Sequence, residues 1–176
     1  MEDIEIRQIG QPNSDDINLK NEPFRLFGRM LPAYQDGQWR YTLSRDEAEG
    51  QDCFPDEHYS YEEMAEDHVF LGAYDGPVCV GLAILRHSWN RYLYLHDLKV
   101  CAAYRGRHIA TALIHEAFQY ALRDGYRGLW TVGQDNNLAA CLLYINTGFR
   151  IGGIDTEVYL GTPLEGNADI HFYKDA

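Results

Sequence analysis

A turn rich in arginine and glycine stands near the middle of the chain, directly after a run of β-branched and aromatic residues over 92–100. Where a strand leads through such a turn into a helix, the first N–H groups of the helix lack a backbone partner and lie at the positive end of its dipole. Groups of this kind bind phosphate. We therefore predict a pyrophosphate site of a coenzyme, formed by Arg105, Gly106, Arg107, His108, Ile109, Ala110 and Thr111.

A second segment is needed to support this interpretation, because arginine and glycine also occur in turns for solubility and for positive φ angles. Asn137 is a residue type that caps helices, and Gly148 is one that ends them. The helix between them would carry Ala140, Leu143, Tyr144 and Thr147 on its inward face. Taken alone, this pattern also fits an ordinary amphipathic helix with a tyrosine in the core.

Together, the two segments resemble the motifs of the GNAT superfamily of acetyl-CoA-dependent N-acetyltransferases. Residues 105–110 are similar to its Arg/Gln-x-x-Gly-x-Gly/Ala motif, with His108 in place of one glycine, and residues 137–149 are similar to its Asn-x-x-Ala-x-x-Leu-Tyr-x-x-x-Gly-Phe block. The resemblance implies an α/β fold with a mixed, twisted sheet flanked by helices, and acetyl-CoA as cosubstrate. It also implies that Leu98, Val100 and Asn137 bind the coenzyme, and that Tyr144 contacts it and protonates the departing thiolate.

A narrower resemblance is to the streptothricin (nourseothricin) acetyltransferases. The residues that carry it are Phe54, Pro55, Asp56, Glu57, Ser88, Trp89, Asn90, Gly153, Ile154, Asp155, Thr156, Tyr159, Gly161 and Thr162. It implies direct acetyl transfer, in a ternary complex, to a primary amine of a small polycationic acceptor such as streptothricin. The implied substrate-binding residues are Asp56, Glu57, Trp89, Asp97 and Tyr159.

Two positions depart from this narrower pattern, because His96 and Val132 stand where the streptothricin acetyltransferases carry glutamate. Two alternatives therefore stay open. One is a GNAT enzyme for another amine, such as a protein N-terminus or a polyamine. The other is a non-catalytic domain that binds acyl-CoA for regulation.

A general base is needed, because the acceptor amine must be neutral to attack the thioester. Alternation along residues 92–101 predicts that Tyr94, His96, Leu98 and Val100 share one face of a strand, with Asp97 and Lys99 on the other. His96 would then lie beside the coenzyme, and histidine titrates near neutral pH. We predict His96 as the base, against the alternative of a histidine packed in the sheet. Asp97 is the second candidate, for binding an ammonium group.

The segment 45–67 is the most acidic part of the chain, with ten carboxylates and a single arginine. Such a run is usually a solvated surface. It could instead form one rim of the cleft and attract a polycationic substrate. The aromatic residues Phe54, Tyr59 and Tyr61 lie within this segment and Trp89 follows it. Cation–π contacts of such rings favour the second interpretation.

Period-two alternation, helix spacing and turn residues predict the elements that position these side chains. Strands are predicted over 3–7, 39–44, 69–74, 77–88, 92–101, 128–132, 149–160 and 170–173. Helices are predicted over 107–124 and 137–147, with one or two short helices over 15–31.

Length and composition restrict the class of protein. The 176 residues predict a single N-acetyltransferase domain over 1–176. A net charge of −12 disfavours nucleic acids and anionic membranes as partners. Four cysteines without Cys-x-x-Cys spacing indicate reduced thiols, no histidine has metal-ligand spacing, and no export signal or membrane anchor is visible. We expect a cytoplasmic enzyme without a metal; the oligomeric state is left open, with a homodimer as the candidate.

Overall fold

The computed structural model describes residues 4–176, so the predicted start of the first strand at Asp3 lies outside the described part. The strands within that part are β1 (Glu5–Gln8), β2 (Phe24–Gln35), β3 (Gln38–Asp52), β4 (His68–Asp75), β5 (Val78–Arg86), β6 (Tyr92–Val100), β7 (Gly128–Gln134), β8 (Arg150–Asp155) and β9 (Asp169–Asp175). The α-helices are α1 (Tyr61–Met64), α2 (Ile109–Arg123) and α3 (Leu138–Asn146), and 3-10 helices cover Gln11–Asn18 and Ala102–Tyr104.

The chain divides into two compact units, each assembled from separate segments. The first contains residues 4–22, Cys53–Leu129 and Ala176, and the second contains Pro23–Asp52 and Trp130–Asp175. The single domain predicted over residues 1–176 remains a prediction.

The first unit is built on the antiparallel strands β1, β4, β5 and β6, which lie side by side in that order. Strands β4 and β5 are buried along nearly their whole length, which requires cover on both faces. Helix α2 covers one face, where a Cβ added at Gly81 would lie 3.1 Å from Ile109. On the other face Leu82 and Ile84 join a core with Ile17 of the first 3-10 helix.

The second unit contains β7 from Trp130 onward, then β9 and β8, adjacent in that order, helix α3 and the long β2–β3 hairpin. Helix α3 begins at the cap Asn137, whose side chain accepts a hydrogen bond from the Ala140 N–H at 3.3 Å. Gly148 follows its end with a φ of +91°, as the sequence predicts for a helix stop. The hairpin approaches itself closely at Gly28, where a Cβ would lie 2.3 Å from the Ser44 carbonyl oxygen.

Three predicted elements are wrong in extent. The segment predicted as short helices over 15–31 is helical only to Asn18 and is strand β2 from Phe24, because Pro23 cannot donate to a helix and β2 pairs with β3 in a hairpin. Residues 45–52 belong to β3, so the acidic loop begins only at Cys53. The strand predicted to Leu160 ends at Asp155, whose carboxylate caps a turn by accepting N–H bonds from residues 157 and 158.

The predicted faces of β6 are also wrong, because the strand contains a β-bulge. Asp97 pairs with Ile84 and Leu95 pairs with Leu85, so His96 is an additional residue without a counterpart in β5. The bulge inverts the alternation beyond it. Asp97 and Lys99 therefore share the face of Tyr94 and His96, while Leu98 and Val100 lie on the face toward α2.

Candidate active site

The turn between β6 and α2 contains two residues in the left-handed region. Gly106 has a φ of +76°, and His108, the N-cap of α2, has φ +61° and ψ 16°. The Ala112 N–H is the first in α2 to find a helical acceptor, at 3.0 Å from the His108 carbonyl oxygen. The N–H groups of residues 109–111 precede it and have no acceptor within the helix. The residues present therefore fit the diphosphate of acetyl-CoA, which they would hold through backbone N–H groups.

Arg105 anchors this turn through backbone carbonyl groups. Its Nε donates to the Val100 oxygen at 3.1 Å, and a terminal nitrogen donates to the Glu22 oxygen at 3.3 Å. The Glu22 carboxylate accepts the Ala102 N–H at 2.6 Å. Arg105 thus acts on the shape of the loop, and its predicted contact with the coenzyme remains a prediction. The neighbouring Arg107 is exposed, with its guanidinium carbon 4.9 Å from the centroid of the Tyr104 ring.

Replacing His108 with glycine is expected to preserve or raise acetyl-CoA affinity and to increase the free energy of unfolding by about 1 kcal/mol, because the left-handed region penalises a Cβ. Calorimetric titration and thermal denaturation measure the two quantities. Asp36→Gly is the matched control, since Asp36 has a φ of +52° in the β2–β3 turn. It should change stability alone. A loss of coenzyme affinity in His108→Gly would contradict a site made of backbone N–H groups.

A cluster of charged side chains lies on the face of β6 opposite α2. Lys99 Nζ lies 2.7 Å from Glu57 Oε2 and 3.0 Å from Asp97 Oδ2, with the Lys99 side chain only 9% exposed. Asn21 Nδ2 donates to the same Glu57 oxygen at 2.8 Å. We call Glu57, Asp97 and Lys99 the charged cluster; it carries one more carboxylate than ammonium groups.

The electrostatics of the charged cluster depend on burial and on Lys99. Burial raises the pKa of Asp97, with Lys99 opposing the shift. Burial also acts to raise the pKa of Glu57, but hydrogen bonds from Lys99 and Asn21 outweigh it and the pKa is lowered. The pKa of Tyr59 is raised by burial and by the charges of Asp97 and Glu57. The cluster therefore suits an ammonium ligand.

His96 lies beside the charged cluster in a partly buried, aromatic setting. Its ring contacts Tyr59 edge-on at 6.0 Å between centroids and stacks on Tyr94 at 5.7 Å. Burial lowers the pKa of His96, and the nearby His68 and Arg86 side chains lower it further. A histidine with a lowered pKa is neutral at pH 7, as a general base must be.

Three predicted site residues lie in the second unit. Asn137 caps α3, and Tyr144 on that helix is 7% exposed, packed against Phe149 and Phe172. The Tyr159 hydroxyl donates to Asp169 at 2.7 Å and accepts from Gln134 at 2.8 Å. Burial and the bond to Asp169 raise the pKa of Tyr159 to about 12, so this hydroxyl stays protonated.

Two predicted substrate residues lie apart from the charged cluster within the first unit. Trp89 is 97% exposed in the turn before β6. Asp56 is exposed, and its carboxylate accepts the Asn21 N–H at 2.8 Å, so it orders the loop that carries Glu57. Conversely, the sequence reasoning missed Lys99, whose position follows from a bulge that alternation alone does not reveal.

None of the helices in residues 4–176 has the length and apolar character that a membrane span requires. Within the same residues, histidine, cysteine, aspartate and glutamate side chains form no group of three suited to a metal ion.

The sequence is similar to known acetyltransferases. It matches the model of the Acetyltransferase (GNAT) family over residues 32–149. It is 35% identical over 170 residues to streptothricin acetyltransferase A of Bacillus subtilis (strain 168), covering 96% of this chain and 98% of that protein. It is 32% identical over 152 residues to streptothricin acetyltransferase of Escherichia coli, covering 86% of this chain and 76% of that protein.

The fold is similar to that of a Bacillus anthracis (strain Ames) protein assigned as a streptothricin acetyltransferase and crystallised with acetyl coenzyme A. The two structures superimpose with a TM-score of 0.87 at 26% sequence identity, over 99% of each chain. This similarity confirms the predicted α/β fold with a mixed sheet flanked by helices.

Proposed function

The chain belongs to the GNAT acetyltransferase family, and from this premise we propose that it transfers the acetyl group of acetyl-CoA to a primary amine of a streptothricin-type antibiotic. The observation that carries the proposal is the pairing of an amine-binding charged cluster with a neutral histidine on one face of β6. The named relatives act on streptothricin and support this choice of acceptor. Acetylation would remove a positive charge from the antibiotic and thereby confer resistance.

The charged cluster would bind an ammonium group of the acceptor. Glu57 and Asp97 are two carboxylates paired with the single ammonium group of Lys99, which leaves one carboxylate in excess. Tyr59 provides an aromatic ring beside them. Carboxylates and aromatic faces both attract cations. A second ammonium group of a polycationic acceptor could then be held here while the reacting amine lies near His96.

The chain's own residues would perform the proton transfers. Acetyl-CoA supplies an activated thioester, whose carbonyl carbon the amine attacks directly in a ternary complex as the C–N bond forms and the C–S bond breaks. His96 takes the proton that the attacking nitrogen must lose. Tyr144 donates a proton to the sulfur of the leaving thiolate. The backbone of Leu98 and Val100 would hydrogen-bond the coenzyme arm and orient the carbonyl.

Thiol release from acetyl-CoA tests the proposal directly. Purified protein, acetyl-CoA and streptothricin should yield free CoA and singly acetylated streptothricin, detected by a thiol reagent and mass spectrometry. Parallel reactions contain a peptide with a free N-terminus, a polyamine, or no amine. Turnover with the peptide or polyamine but not with streptothricin would contradict the proposal that a streptothricin-type antibiotic is the acceptor. If the protein binds acetyl-CoA but releases no free CoA with any of these amines, the proposal that it is an enzyme would be contradicted.

Replacing Tyr144 with phenylalanine is expected to lower kcat about tenfold with little change in KM for acetyl-CoA. The hydroxyl is lost while the ring and its packing remain, and a thiolate leaves slowly but measurably without a proton donor. Steady-state kinetics measure both constants. Tyr173→Phe is the control for loss of a tyrosine hydroxyl in the same unit, because Tyr173 lies on β9 and is not among the predicted site residues. An equal fall of kcat there would contradict a specific role for Tyr144.

We also propose the setting in which the enzyme works. A net charge of −12 suits a small cationic substrate and opposes binding to nucleic acids or anionic membranes. We propose a cytoplasmic, single-domain enzyme without a metal, with a homodimer as the assembly to be tested by sedimentation.

A further inference from the structure

A second histidine contacts His96 and plays no part in the function proposed so far. His68 opens β4, next to β5 in the sheet, and its side chain is 9% exposed. The distance from His68 Nε2 to His96 Nδ1 is 3.3 Å. On its other side, His68 Nδ1 lies 2.5 Å from Asp67 Oδ1 and 3.1 Å from the Met64 carbonyl oxygen. Asp67, His68 and His96 thus form a chain of contacts.

The partners of His68 determine which of its nitrogens carries the hydrogen. Both oxygens near Nδ1 are acceptors, so Nδ1 must be the donor. In neutral His68, Nε2 then has a lone pair and accepts a hydrogen bond. The group that faces it, His96 Nδ1, must donate. Neutral His96 consequently carries its hydrogen on Nδ1 and has its lone pair on Nε2.

We propose that His68 is a positioning residue that holds His96 in the Nδ1–H tautomer and so presents Nε2 as the base. The inference rests on the proposed function, because it concerns the base of that reaction. The ring of His68 is itself fixed, since it stacks on Phe70 at 6.2 Å between centroids with planes 9° apart. A fixed partner restricts the rotation of His96 as well as its tautomer.

The other groups around His96 make ring contacts and charge interactions with it. Its neighbours present a cation, two aromatic rings and two carboxylates, and these are Arg86, Tyr59, Tyr94, Glu57 and Asp97. Both carboxylates already face Lys99. The contact with His68 joins two ring nitrogens, 3.3 Å apart.

Two substitutions separate positioning from packing. His68→Phe retains a flat ring against Phe70 but cannot accept a hydrogen bond. His68→Gln places an amide oxygen near the position of Nε2 and can accept one. His87→Phe is the control, because His87 is a half-buried histidine whose ring stacks on Tyr126 in the same unit.

The decisive measurement is the ¹⁵N NMR spectrum of the His96 imidazole in the free protein near pH 7. We expect protonated Nδ1 in the wild type and in His68→Gln, and loss of that form in His68→Phe. With streptothricin, kcat/KM should fall about tenfold in His68→Phe and recover to within about threefold of wild type in His68→Gln.

The proposal is overturned if His96 carries its hydrogen on Nε2 in the folded wild type, or if His68→Phe leaves the tautomer and the rate unchanged. Equal losses of rate in the glutamine and phenylalanine variants would also overturn it. The NMR result does not depend on turnover. Failure of the proposed function, seen as absence of thiol release by the wild type, is therefore distinguishable from failure of this inference.

Discussion

Replacing His96 with glutamine is expected to lower kcat/KM for streptothricin by about 10²–10⁴-fold, the usual contribution of a general base. Glutamine retains hydrogen-bonding capacity and approximate size, but it cannot take a proton. The KM for acetyl-CoA should change little, because the N–H groups that would hold its diphosphate lie beyond Val100, in the turn that leads into α2. Steady-state rates of thiol release at fixed acetyl-CoA provide the measurement.

The pH profile distinguishes loss of a base from loss of structure. Burial, His68 and Arg86 lower the pKa of His96 below its ordinary value of 6.5, so the wild-type acidic limb should lie below pH 6.5. That limb should disappear in His96→Gln. The matched control is His115→Gln, because His115 is exposed on α2. An unchanged limb in His96→Gln would show that another group, such as Asp97 or a water chain, is the base.

Replacing Lys99 with methionine is expected to destabilise the protein by about 3 kcal/mol at pH 7, because it leaves Asp97 and Glu57 without their cation. Methionine preserves the length of the stem and removes only the charge. For a chain of this size, that loss corresponds to a fall in Tm of about 6–12 °C. Lys20→Met is the control, since Lys20 is exposed in the same unit. Equal Tm values for the two variants would contradict a buried ion pair.

A second substitution and a pH series identify the cause of that loss. Asp97→Asn in the Lys99→Met background should recover part of the stability, since it removes the buried, unpaired charge. Lowering the pH should also recover part of the stability that Lys99→Met loses. Burial already raises the pKa of Asp97, and the Lys99 charge that opposes this rise is absent from the variant. A carboxyl whose pKa is higher in the folded state takes up a proton on folding, so stability rises as the pH falls toward that pKa.

The turn between β6 and α2 and the helix with Tyr144 could be predicted from the sequence because their determinants are local. A strand, a glycine-containing turn and a helix start are encoded within residues 92–112, and the cap Asn137 and the stop Gly148 enclose α3. The β4–β5 hairpin is local in the same sense, with Gly76 at a φ of +56° in its turn.

The charged cluster and the His68–His96 contact depended on contacts between distant segments. The pairing of Lys99 with Glu57 joins β6 to a loop 42 positions away in sequence, and the His68–His96 contact spans 28 positions. The acidic composition of the loop that contains Glu57 indicated a role in binding a cationic substrate. It did not identify Glu57 as the carboxylate that pairs with a buried lysine. Asp56, its neighbour, faces Asn21 instead.

The sequence by itself determined the family, the fold class and the turn between β6 and α2, since these follow from local motifs. Only the tertiary structure decided which face of β6 each side chain occupies. A β-bulge at His96 inverts the alternation and brings Asp97 and Lys99 to the face of His96. A bulge arises from register against a neighbouring strand, so its position depends on the pairing of β5 with β6 and not on the alternation of β6 alone.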